Sequence, residues 1–270
     1  MSNHITAKFL GFVYAPIPPD IFTEKLSMLS EKLRKLLPRY DTPSVDGIRI
    51  NFNDGLVSTH REQHSKMLYM VDAGGVWGVK ISDQGMSFSV SRYISYEEAI
   101  PYVKSILDVV VEALGITHFS RVILRNINLF DEVPDTPNRF EDIKDDAYWG
   151  RQNFGTLERG FLCNGASTRH EYFSNDHLTQ VQLASGIVLT GQSPIPQNEW
   201  DIWKLRGGVP IQNKGTAQLL VDISGIKFQA PFNIPEKQNN VSEYSWEAVK
   251  TSFDELHQII NSVYSDITEE

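Results

Sequence analysis

The sequence predicts an α+β protein of two packed halves, each an antiparallel β-meander followed by a long helix. Three observations carry this. Short alternating segments at 67–71, 76–81 and 86–92 follow one another across turns built on Ala73-Gly74-Gly75 and Asp83-Gln84-Gly85. An apolar stripe at helical spacing then runs through Ile100, Val103, Ile106, Leu107, Val110, Val111 and Leu114. The same order returns beyond residue 157 and closes with a helix over 245–267. The halves are 1–130 and 157–270. An acidic, proline-bearing connection over 131–156 joins them, and no sequence repeat relates them.

In chain order, 8–14 reads as an opening strand, and Pro16, Pro18 and Pro19 break it. A helix follows over 20–37, with Asp20 as N-cap, Phe22, Leu26, Leu29, Leu33, Leu36 and Leu37 on one side, and Pro38 as its stop. Lys25, Lys32, Arg34, Lys35 and Arg39 make the other side basic. A solvated face is the first reading of that pattern and a partner surface the alternative. Residues 47–52 alternate as a half-buried strand should. Ser95 and Glu98 form a capping box, and Gly115 stops the second helix. Pro101 either kinks that helix or marks its start. The chain returns as a strand over 119–130, and a short helix fits 142–148. The second half offers strands at 157–162, 169–173, 179–190 and 217–223. Its closing helix buries Trp246, Val249, Phe253, Leu256, Ile260, Val263 and Ile267.

Composition narrows the function classes. With 41% hydrophobic and 22% charged residues among 270, the chain can build a sizeable core. A net charge of -9 argues against nucleic acid as a bulk ligand. The start carries no signal-peptide pattern, and no run approaches the roughly 18 apolar residues of a membrane span, so a cytoplasmic protein is expected. Cys163 is the one cysteine, which leaves no internal disulfide and no multi-cysteine zinc site.

The strand at 119–130 carries polar residues where hydrophobes would suffice. Alternation puts Arg121, Ile123, Arg125, Ile127 and Leu129 on one face, and Val122, Leu124, Asn126, Asn128 and Phe130 on the other. A guanidinium in a covered strand needs a carboxylate, for which Asp72 and Asp222 are the first choices. One reading is an internal Arg–Asp pair that fixes register. The other is an anion or phosphate pocket of Arg121, Arg125, Asn126 and Asn128, with Asp222 or His257 handling a proton. His60 and His64 have metal-ligand spacing for a helix, but neighbouring strands suggest a loop, and no metal is expected. His257, beside Leu256 on a core-facing side, reads first as a packing histidine, and Cys163 with His170 as ordinary residues rather than a dyad. No G-x-S-x-G, P-loop or G-x-G-x-x-G is present, and no cofactor is expected. The long segment 194–215 holds Trp200, Trp203, Lys204 and Arg206, an aromatic and basic set suited to a protein interface. Its alternative is a flap covering the second core.

Three patches, W-x-V-x-I (77–81) with Arg92 and Tyr93, L-R-x-I-N (124–128) and L-H-x-x-I-N-x-x-Y-x-x-I-T (256–268), occur in order, with L-L-V-D-I at 219–223. Together they resemble a sporadically distributed, largely uncharacterised bacterial protein family, over nearly the whole length. Asn126 stands where that pattern more usually has an aromatic, and the prolines at 16–19 also depart from it. The resemblance implies an α+β protein, sometimes found in mobile or defence-like gene neighbourhoods, and no reaction. The function expected is therefore a non-enzymatic binding or regulatory protein, an accessory component of a bacterial defence-like system. Its alternatives are an enzyme or sensor for a phosphorylated ligand, and an antitoxin-like inhibitor. The expected partner is another protein, with self-association left open.

Overall fold

The opening segment A-K-F-L-G-F-V-Y alternates large residues on both of its faces, as a strand must when it is covered twice. It becomes β1 (Ile5–Tyr14), at the middle of the fold. The structure, a computed structural model, describes residues 5–53, 56–92, 94–131, 167–188, 191–195, 200–207, 218–231 and 241–268.

After β1 come α1 (Pro19–Leu33), β2 (Arg39–Asp41), β3 (Ser44–Asn53), β4 (Leu56–Lys66), β5 (Leu68–Val71), β6 (Trp77–Ile81), β7 (Gly85–Val90), α2 (Tyr96–Leu114) and β8 (His118–Asp131). Then follow β9 (Ser167–Phe173), β10 (Thr179–Val188), α3 (Trp200–Leu205), β11 (Gln218–Phe228), β12 (Ser242–Glu243) and α4 (Trp246–Ile267). Ten strands form one sheet in the order β2-β5-β6-β7-β1-β8-β11-β10-β9, with β12 against the start of β8. The pairings among the described strands are antiparallel.

The α+β class is the predicted one, and a meander followed by a long helix occurs twice, as β5-β6-β7 with α2 and β9-β10-β11 with α4. Both segments contribute to a single sheet, however. β8 from the first pairs along its length with β11 from the second, from Gln218 opposite Asp131 to Phe228 opposite Arg121. Because β1 inserts between β7 and β8, α2 must cross over the sheet to connect them, and this lays its apolar stripe on one face. α1, α2 and α4 cover that face in a large core with Leu10, Phe12, Val79, Phe88, Val122, Leu124, Ile223, Phe253 and Leu256. The opposite face has a smaller core of Ala7, Phe9, Val71, Ile127, Ile195, Ile202 and Trp203 under α3.

Several elements differ from expectation for identifiable reasons. α1 begins at Pro19 behind Pro18, with no side-chain cap, so Asp20 sits in the first turn rather than at the N-cap. The helix stops at Leu33, yet a tight turn whose amides bond Leu33 O still buries Leu37. Residues 47–52 belong to β3, which leaves the main sheet to pair with β4 in a separate hairpin. β4, L-V-S-T-H-R-E-Q-H-S-K, reads as a loop because polar residues fill both of its faces. The segment after residue 194 contains α3 instead of continuous loop. Ser95 and Glu98 do close a capping box, Pro101 lies exposed inside α2, and Gly115 caps α2 in the left-handed conformation at φ 71°. The expected helix at 142–148, the strand at 157–162, Cys163 and most of the connection lie outside the described residues.

Candidate functional site

The two faces of β8 use their polar residues differently. On the α3 face, Arg125 meets Asp222 of β11 in a two-point ion pair. Nε donates to Oδ1 at 2.8 Å and Nη2 to Oδ2 at 2.5 Å, with side-chain exposures of 33% and 15%. The guanidinium also lies 5.8 Å from the Phe9 ring centre. The pair spans neighbouring strands, since Ser224 is opposite Arg125 and Asp222 opposite Ile127, and so it fixes how β8 and β11 slide against each other. Arg121, on the same face near the strand start, is exposed. Asp72, the other acid proposed for the arginines, instead accepts the Trp77 backbone N–H at 2.8 Å and closes the turn before β6. Asn126 and Asn128 project from the opposite face, so the sheet itself divides the four residues that an anion grip would need together.

The aromatic and basic segment is likewise spent inside the fold. Trp203 is buried in the smaller core, and Trp200 donates Nε1–H to Ile195 O at 3.0 Å. Arg206 lies over the Trp203 ring at 4.6 Å and donates through Nη2 to Ser89 O and Oγ at 2.6 and 2.7 Å. It reaches Ser89 through a gap that only glycine leaves at position 78, where an added Cβ would stand 2.7 Å from Nη2 and 2.9 Å from Ile202 Cδ1. Lys204 alone stays at the surface, paired with Asp201 at 3.0 Å. The flap that covers the second core is what α3 builds.

A different set of polar groups converges on the helical face. Lys8 of β1 stands opposite Asn126 of β8 in register, among positions otherwise held by Leu10 and Phe12. Lys8 is 3% exposed, Asn126 4% and Asn128 0%. Nζ of Lys8 donates to Ile94 O at 3.1 Å, just before α2, and no ion pair to it occurs among the described residues. Burial pulls its pKa down to about 8, against the opposing pull of Glu97. Beside its buried stripe, α4 carries Asp254, His257 and Asn261 at helical spacing, all three half-buried. The His257 ring stacks on Tyr96 of α2, with centroids 4.1 Å apart and planes 11° apart. The Tyr96 hydroxyl donates to Asp254 Oδ1 at 2.8 Å, while Lys250 holds Oδ2 at 2.6 Å. Burial works to raise the Asp254 carboxyl, but those two donors together outweigh it and hold the carboxyl below its usual range. Burial first, and the charge of Lys8 second, lower the pKa of His257, so its ring is neutral at neutral pH.

Hydrogen bonding in this cluster is incomplete. Asn128 donates Nδ2–H to Val221 O at 3.3 Å, yet its Oδ1 and that of Asn126 are buried without partners, as is Nδ1 of His257. With Asn261 Nδ2 donating to Nε2 at 3.2 Å, the neutral imidazole carries its proton on Nδ1, a buried donor with no acceptor. Each such group costs about 1–3 kcal/mol if left dry.

Asn126 and Asn128 were legible as site candidates from the sequence. Lys8, Tyr96, Asp254 and Asn261 were not. The signal for Lys8 was its place in the inward series Lys8, Leu10, Phe12, where a cation breaks an apolar alternation. That for Asn261 was its i,i+4 spacing from His257. The patches 124–128 and 256–268, far apart in the chain, meet at this cluster. His60 and His64 lie on strand β4 and so do not have the helical i,i+4 geometry that their spacing suggested. Among the described residues no group of acids, histidines and cysteines could hold a metal, and no helix is long and apolar enough to cross a membrane. No protein-family model and no curated protein matches the chain.

Proposed function

We propose that this chain is a non-enzymatic, ligand-binding regulatory protein, and that its ligand sits against Lys8, Asn126, Asn128 and His257 between the sheet and helices α2 and α4. One observation carries the reading: two amide oxygens and an imidazole nitrogen are buried without partners around a lysine that makes no direct ion pair among the described residues. A fold selected for stability alone would fill these positions with leucine, as the flanking Leu10 and Leu124 do. A bound molecule completes the hydrogen bonds that the apoprotein leaves open.

The phosphate-binding alternative loses its principal support, since Asp222 already occupies the Arg125 guanidinium. The test is a thermal-shift screen of polar metabolites against wild type, Asn126→Leu and Asn128→Leu. The expected result is a compound that raises the wild-type Tm and leaves both variants unmoved, while the apo variants melt at or above wild type. Variants that melt far lower, with no compound stabilising the wild type, would make the asparagines structural.

A further inference from the structure

We propose that β9, at the outer end of the sheet, is a self-association edge, on which a second copy of this chain adds its own β9 antiparallel and extends the sheet. The two ends of the sheet differ. β2 is three residues long, and Pro38 and Pro43 bracket it. Its Arg39 is drawn back over the fold, donating to Arg206 O at 2.9 Å and to Ala73 O. Short length and flanking proline keep a sheet edge from pairing. β9 has seven residues, S-T-R-H-E-Y-F, with no proline or lysine, and β10 is its one neighbour among the described strands. Residues 169–173 are all exposed, including Tyr172 at 48% and Phe173 at 47%. Aromatic residues and threonine favour extended pairing, so this edge is a template for another strand.

The charge pattern of β9 selects a second copy over an unrelated strand. A two-fold axis perpendicular to the sheet pairs residues of one face, so that one residue of β9 stands opposite its own counterpart. Centred on His170, the axis sets Arg169 opposite the partner's Glu171 and Glu171 opposite the partner's Arg169. Moved by one residue either way, it sets arginine against arginine or glutamate against glutamate. The first register alone pairs opposite charges. Arg169 and Glu171 already meet within the strand at 2.9 Å, with side-chain exposures of 61% and 40%, so both charges lie on one face. In the dimer two arginines and two glutamates alternate around the axis. β9 is neutral overall, so a chain of net charge -9 meets its copy where no repulsion is added.

Sedimentation equilibrium of the full chain, combined with charge exchange, tests the edge. The wild type should be a monomer at about 1 µM and largely a dimer at about 200 µM, as suits one short strand pair. Arg169→Glu sets glutamate against the partner's Glu171 at two symmetric places and should weaken the dimer by about 30-fold, and Glu171→Arg should do the same. The exchange Arg169→Glu/Glu171→Arg restores opposite charges and should recover wild-type association. Both side chains are exposed, so the Tm of dilute samples should stay within about 2 °C of wild type in every variant. The backbone amides of 167–173 should exchange hydrogen more slowly at the higher concentration. A chain still monomeric at about 200 µM would overturn the proposal and leave this edge to a strand of another protein. A dimer indifferent to the single reversals, or a double exchange that stays monomeric, would overturn it as well.

Discussion

The Arg125–Asp222 pair and the Lys8 cluster lie on opposite faces of the same two strands, and they solve the problem of buried polarity in opposite ways. On one face the covered charges answer each other: the Arg125 guanidinium and the Asp222 carboxylate meet at two points, and Phe9 supports the cation. On the other face, Lys8, Asn126 and Asn128 are more deeply covered, and together with the half-buried His257 they leave acceptors and a donor open. Depth of burial is thus no guide to which polar residues hold the fold together. Completeness of pairing is, and it separates the register lock from the binding site proposed at Lys8.

The sharpest way to break this contrast is to remove one member of the satisfied pair. Arg125→Ala leaves Asp222 largely buried and unanswered. It should cost about 2–3 kcal/mol in chemical denaturation, discounted for the partial exposure of the guanidinium. Arg125→Leu combined with Asp222→Leu should recover most of that loss, and a double-mutant cycle reads the coupling. An unchanged Arg125→Ala would mean that the pair is ornamental.

The next effect distinguishes the faces by pH. Because the Lys8 pKa in the folded chain is depressed to about 8, the unfolded chain holds the proton more tightly above that value. Stability should therefore rise from pH 7.5 to 9.5, by about 2 kcal/mol, and this rise should vanish in Lys8→Met. It should reverse at higher pH, where burial keeps the Tyr14 and Tyr96 hydroxyls protonated in the fold while the unfolded chain ionises. On the acid side, the depressed His257 pKa means that stability falls as pH drops below about 6.5. A smaller perturbation tests the α3 face. Gly78→Val pushes into Arg206 and Ile202 and should cost about 1–2 kcal/mol, with a red shift of tryptophan fluorescence as α3 loosens over Trp203.

Much of the fold was legible because its signals are local. The Ser95 and Glu98 capping box, the Gly115 stop, the turns at 73–75 and 83–85 and the apolar stripes of α2 and α4 each lie within a few residues. What was not legible depends on strand order. Nothing near β8 announces that β1 and β11 flank it, so the sequence offers two candidate acids for Arg125 and no lysine for Asn126. The tryptophans of the 194–215 segment look like surface anchors for the same reason. Their cover, the Val71, Ala7 and Ile127 face, is assembled from three distant strands. The site escaped where each residue has an ordinary local explanation and only their meeting is unusual.

The most direct measurement is the unfolding free energy of the ligand-free Asn126→Leu/Asn128→Leu double variant against wild type. If the open amides are kept for a ligand, the variant should be as stable as wild type or up to about 1 kcal/mol more stable, since leucine branches at Cγ as asparagine does and carries no unmet acceptor. A loss of more than about 2 kcal/mol would show that the asparagines hold the core together, and would contradict the account.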